Sequence, residues 1–159
     1  MRKSRNHVIR RYYLQGILVL TSPLILGTGS DDTADIDVQR DWHGRPFIPG
    51  TSIAGALRHF LVKSINTEQD ELSQERVVNI CLGEGTDDGT QSLITVHDAY
   101  PIDQVETEIR DGVKLNSLTK TAIDKKKYDY EVVLPKQRFI LRIEAVQREE
   151  EVQELEKLL

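Results

Sequence analysis

One cysteine in 159 residues, Cys81, is too few for a disulfide framework or a cysteine-based zinc site within the chain. No apolar run approaches the roughly 20 residues that a membrane-spanning helix needs. No charged, then apolar, then small-residue leader opens the sequence. The reading is a soluble, cytoplasmic protein with no membrane partner. Positive charge is also short: the formal net charge of −5 argues against a general binder of polyanions, which is ordinarily basic throughout. The sum hides an uneven distribution. Arg2, Lys3, Arg5, Arg10 and Arg11 crowd the start, while Glu144, Glu149, Glu150, Glu151, Glu154 and Glu156 crowd the end. A local positive field can still follow a local polyanion track.

A hydrophobic content of 38% is enough for one domain with a real core. Tyr12 to Leu26 is apolar on both alternating faces, which predicts a central strand covered on each side, with Gly16 marking a bulge or a close backbone contact. Residues 27–41 form a loop crowded with Asp31, Asp32, Asp35, Asp37 and Asp41. A helix follows over 52–66. A shorter helix starts at Ser73, turns Val77, Ile80 and Cys81 inward, and stops at Gly83. Residues 83–90 hold acids without the ligand spacing of a calcium loop and read as linker. Strands are predicted over 93–99 and 138–146, an irregular lysine-bearing hairpin between them, and a final helix from Glu149.

The densest information lies in Arg40 to Arg58. Pro46, Pro49, Gly44 and Gly50 hold the first part out of regular structure. Thr51 or Ser52 then offers an N-cap oxygen. Behind it Ile53, Ala56, Leu57, Phe60, Leu61 and Ile65 recur at helical spacing as an apolar face. Thr51, Gly55 and Arg58 lie on another face. Backbone N–H groups, hydroxyls and an arginine around a helix start suit a phosphate, although a well-capped helix with a solvated arginine has the same pattern. Trp42 and Phe47 offer rings to bases, packing under the loop being the plainer reading. His7, His43, His59 and His97 do not cluster as metal ligands, and no histidine stands poised for acid–base work.

The run Val38-x-Arg40-Asp41-x-x-Gly44-x-Pro46-x-Ile48-Pro49-Gly50-Thr51-Ser52-Ile53-x-Gly55-x-Leu57-Arg58 closely resembles the signature of the RAMP superfamily of CRISPR-associated proteins, in particular the backbone subunits of type III effector complexes. Two further runs resemble family motifs in the same order. Arg110-x-Gly112-Val113-x-Leu115-Asn116-x-x-Thr119-x-x-Ala122 is similar to the thumb hairpin, with Asn116 in place of the more usual Asp. Glu131-x-x-Leu134-Pro135-x-x-x-Phe139 is similar to the lead into the next strand, with Gln137 where glycine is common. The resemblance implies an α+β, ferredoxin-like (RRM-like) domain spanning 1–159. Its core would be 11–66, 92–100 and 138–159, with an insertion at 67–91 and a β-hairpin thumb at 103–137. The family's final strand and glycine-rich loop do not follow, so the expectation is a domain incomplete at its C-terminus.

On function, the resemblance implies a subunit that grips a CRISPR guide RNA beside other CRISPR-associated subunits and cuts a bound target RNA. Metal-assisted phosphodiester cleavage needs a carboxylate on a loop that can approach RNA, with Mg²⁺ or another divalent cation as cofactor. RNA carries its own nucleophile, the 2′-OH. In the resembling subunits the cleaving aspartate stands as Asp-x-x-Val-x-[Lys/Arg]-Asp, which Asp35, Val38, Arg40 and Asp41 match; Asp35 is then also the metal ligand. Asp37 offers a competing alignment. Guide contacts would fall on Arg40, Gly50, Thr51, Ser52, Gly55, Arg58 and His59. The thumb would add Val113, Lys114, Asn116, Thr119 and Lys120, whose lysines neutralise phosphate while apolar tips fill gaps between unstacked bases. A structural guide-binding subunit without cleavage is the alternative, and a guide-processing endoribonuclease a second.

Overall fold

The computed structural model describes residues 7–27, 37–64, 71–84, 91–115 and 122–148. Its elements in chain order are β1 (Val8–Val19), α1 (Gly50–Ser64), α2 (Glu71–Leu82), β2 (Ile94–Val96), β3 (Tyr100–Pro101), β4 (Thr107–Leu115), β5 (Ala122–Val133) and β6 (Arg138–Arg148). The architecture is mixed α+β with antiparallel sheets. One sheet has the order β1-β6-β2, with β3 also pairing β6, and β4-β5 form a separate two-stranded ribbon. The chain divides into two compact units, residues 1–16, 49–98 and 141–159 in one and residues 17–48 and 99–140 in the other.

In the first unit α1 and α2 accompany β2 and the later part of β6. β2 pairs β6 antiparallel, Ile94 opposite Ala145 and Val96 opposite Ile143. Val77, Val78 and Ile80 of α2 and Leu93 are buried. The helical period expected Val77 and Ile80 there; adjacent Val78, only 1% exposed, was not in the expected face. Gly83 ends α2 in the left-handed region at φ 77°, the conformation a C-terminal glycine supplies without a Cβ penalty. The inward side of α1 also differs from expectation. Ile53, Ala54, Leu57 and Leu61 are partly buried, whereas Ala56 is exposed and Phe60 is 64% exposed. The periodic apolar stripe is wider than the surface available to cover it.

In the second unit Leu20, Val38, Ile48, Ala99, Val132, Val133 and Phe139 are buried. Leu24 bridges Val133 and Ile48 bridges Ala99. The expected irregular hairpin is a regular ladder, running from Thr107 opposite Val133 to Gly112 opposite Tyr128, with a register shift between Val113 and Leu115. Its charged and small residues mask the alternation that a strand would show. Gly112 answers a local demand: a Cβ there would lie within 2.9 Å of the Tyr128 ring, which lies across it.

β1 is not the central strand expected. It ends the order β1-β6-β2, and Ile9, Tyr12, Tyr13, Leu14, Ile17 and Val19 are exposed. Two apolar faces state what a strand tolerates, not what covers it. The helix expected from Glu149 falls outside the described residues.

Candidate nucleic-acid interface

α1 begins at Gly50, ahead of both expected caps, Thr51 and Ser52. Pro49 precedes the first turn, and its carbonyl accepts from the Ser52 and Ile53 N–H groups. The cap comes from elsewhere in the sequence: Asp98 Oδ1 accepts from the Gly50 N–H at 2.8 Å. A carboxylate there also answers the positive end of the helix dipole. One backbone donor that a phosphate would use is thereby taken. Gly50 is buried against the strand, and a Cβ would fall onto the Val96 carbonyl oxygen and within 2.9 Å of the Val96 and His97 carbonyl carbons. This glycine is demanded by packing.

The outward stripe of the same helix start is Thr51, Ser52, Gly55 and His59, all exposed. A Cβ at Gly55 would meet nothing within 4 Å, so the surface there is open to an approaching backbone. Arg58, expected beside them, is turned away. Its Nη1 donates to Asn79 Oδ1 at 2.8 Å and its Nη2 to the carbonyls of Leu82 (3.1 Å) and Gly83. Arg58 closes the last carbonyls of α2, where a cation is favoured. Arg58→Ala is accordingly expected to lower stability by about 2 kcal/mol, since the carbonyls lose charged donors. Urea unfolding checks this, and the loss should persist in high salt, unlike that of a surface phosphate contact.

In the second unit the loop before α1 is bound to the hairpin. Val38 N–H donates to Glu131 Oε2 at 3.1 Å, and Arg40 Nη2 donates to Glu131 Oε1 at 2.5 Å. Arg40 Nη1 also donates to the Gly44 carbonyl at 3.1 Å. Glu131 thus joins two motifs that lie far apart in the chain, a role that no single stretch of sequence announces. Desolvation pushes the Glu131 carboxyl up, but hydrogen bonds from Thr107 and Val38 and the Arg40 charge outweigh it and hold it below the ordinary 4.5. A carboxyl depressed on folding contributes stability that is complete above its unfolded value and is lost as pH falls through the folded one. The stability gap between the wild type and Glu131→Gln should therefore be widest near neutrality and close as acid is added below the ordinary 4.5. Denaturant melts across that range measure it.

Asp41 shapes the next turn. Its Oδ1 accepts from the His43 and Arg45 N–H groups, each at 2.9 Å, and its Oδ2 from Arg45 Nε at 3.0 Å. Desolvation raises its carboxyl, yet the Arg45 and His43 N–H groups and the Arg45 guanidinium bring it below the usual range. Gly44 completes the turn at φ 76°. Trp42 at the tip is 88% exposed and not packed under the loop, whereas Phe47 stacks on Tyr100.

The acidic loop is pinned at both ends, by the Gly27–Val38 bridge and by the Gln39 N–H on the Leu26 carbonyl at 2.8 Å. Asp37 is half-buried beside this anchor. Asp35 lies outside the described residues, as do Asn116, Thr119, Lys120 and the side chain of Lys114. Val113 is exposed on β4. Among the described residues no three His, Cys, Asp or Glu side chains gather as a metal cage.

The model of the RAMP superfamily matches residues 17–159. The chain belongs to the RAMP superfamily. Solved structures agree in fold. A chain of the type III-B Cmr-beta complex bound to cognate target RNA is 13% identical with a TM-score of 0.67, covering 93% of this chain and 88% of its own. A chain of the apo state of type III-B Cmr-beta is 14% identical with a TM-score of 0.64, covering 89% and 86%. No curated protein matches the chain.

Proposed function

We propose that this RAMP protein is a backbone subunit of a type III RNA-guided effector complex, holding guide RNA and cutting the paired target at its acidic loop. The observation that carries the proposal is the exposed start of α1, Thr51, Ser52, Gly55 and His59, in a chain of this superfamily. The type III-B chain with the same fold comes from a particle bound to target RNA, which supports the same setting here. Hydroxyls and an unobstructed glycine suit a sugar-phosphate backbone, and base pairing then reads the target while the protein reads shape. The β4–β5 ribbon, with Val113 exposed, serves as the thumb, and Lys114 and Lys120 neutralise phosphate. Arg40 and Arg58 hold the surrounding elements in place through the bonds described above.

Asp35 is the catalytic carboxylate, with Asp37 the competing one. It positions the 2′-OH of the target and accepts its proton as that oxygen attacks the adjoining phosphate; the P–O5′ bond breaks and the 5′-oxygen leaves with a proton from water, giving a 2′,3′-cyclic phosphate and a 5′-hydroxyl. Mg²⁺ keeps several waters and binds one or two carboxylates plus phosphates, so Asp35 would be the protein's share of the site and the cation would offset the charge developing on the phosphoryl oxygens. The same fold with a mute loop would be a structural guide-binding subunit. Cleavage by particles carrying Asp35→Ala separates the two.

A further inference from the structure

The turn at residues 41–45 carries features that neither the helix start nor the thumb uses. Trp42, the sole tryptophan, is 88% exposed, with the His43 ring packed against it. A large indole held in solvent gains nothing from folding, and this one does not wander on a loose loop. Asp41 fixes the turn through the N–H groups of His43 and Arg45, and the Gly44 N–H closes it on the Asp41 carbonyl at 2.9 Å.

The same turn walls a cavity of about 470 Å³ between residues 40–46 and 101–105. Arg40, Arg45, Pro101, Ile102 and Gln104 line it together with Asp103, whose carboxylate is taken up by Arg138 at 2.6 Å. Arg45 is 56% exposed in its side chain and meets Asp41 through Nε and Nη2. A guanidinium has five N–H donors, so an outward edge remains. Its Cζ also lies 5.6 Å over the Tyr100 ring, which steadies it. An exposed indole on a bonded turn, followed three residues later by an arginine that edges a half-polar cavity, fits a ligand that joins a flat ring to an anion. An acidic peptide satisfies the arginine and leaves the indole idle; a nucleotide uses both.

We propose that the 41–45 turn is a single-strand nucleotide site, in which a base stacks on Trp42 and the neighbouring phosphate takes the outward donors of Arg45. This rests on the RNA-binding reading above and adds a contact that the helix-start and thumb residues named there do not include. Base stacking on an aromatic ring tolerates any base, so the site would hold RNA without reading it.

Because Trp42 is the sole tryptophan, its emission reports this turn alone. The full chain is titrated with oligouridylate while binding is followed in parallel by anisotropy of a labelled oligomer. The expected result is quenching that tracks binding and is reversed by salt, with Trp42→Ala weakening binding about tenfold and Trp42→Phe restoring part of it. Circular dichroism of Trp42→Ala should match the wild type, as befits so exposed a side chain. RNA binding with unchanged emission, or Trp42→Ala binding as tightly as the wild type, overturns the site and leaves the subunit reading standing. Failure of the chain to bind oligouridylate at all overturns both. Quenching by polyglutamate at the same strength overturns the choice of a nucleotide.

Discussion

Replacing Asp35 by alanine is expected to leave the guide in place and slow target cleavage at this subunit's position by about 10²-fold or more, the scale of losing a positioned proton acceptor. The expectation depends on where the loop is held. Gly27 bridges Val38, and the Val38 N–H is itself committed to Glu131, so the chain is anchored three residues after Asp35 in sequence. Asp37 shares that anchor and is half-buried, which suits it less to approach a phosphate than a residue further into the loop. Asp37→Ala is therefore the informative control. Assembled particles are given end-labelled target, and the cut positions are read on a gel with and without Mg²⁺. Loss with Asp35→Ala and retention with Asp37→Ala supports the assignment; the reverse moves the carboxylate by two residues. Full cleavage by both variants rejects the catalytic role and favours the purely structural subunit.

Local patterns carried much of the fold, because they state local demands. The α2 helix and its stop at Gly83 follow from apolar spacing and one glycine, and the irregular stretch from Gly44 to Pro49 from its prolines and glycine. What stayed hidden were partners remote in sequence. Nothing around Thr51 indicates that Asp98 caps the helix, so local sequence points to two hydroxyl residues that the fold leaves exposed. Nothing around Arg58 indicates that it would turn to the carbonyls of Leu82 and Gly83. An arginine two turns into a helix looks the same in sequence whether it meets a phosphate or a neighbouring helix. The same blindness applied to β1, whose apolar faces gave its strand character and not its place at the end of the strand order. The motif Glu131-x-x-Leu134-Pro135 was visible as a motif, but its task of tethering Val38 and Arg40 appears only once the fold brings them together.

Gly50→Ala is the second large effect, and it separates packing from recognition. Two terms oppose. Alanine at the first helical position is a better helix former than glycine by up to about 1 kcal/mol. Against this, the new Cβ would overlap the Val96 carbonyl oxygen and crowd the Val96 and His97 carbonyl carbons at 2.9 Å, all backbone atoms at and just past the end of β2, which cannot rotate aside as a side chain would. Overpacking of this kind costs about 1–3 kcal/mol, and more where backbone must move. The clash wins: a net loss of roughly 2 kcal/mol corresponds to a fall in melting temperature of about 4–8 °C for a domain of this size. Gly55→Ala runs the other way. Its Cβ would meet nothing within 4 Å, so helix propensity alone acts and stability should rise slightly. If RNA passes over this first turn, that variant binds guide RNA more weakly while melting higher. A Gly55→Ala protein that is both more stable and unchanged in guide affinity places the RNA elsewhere, whatever Gly50→Ala does, because only at Gly55 is steric damage to the fold absent.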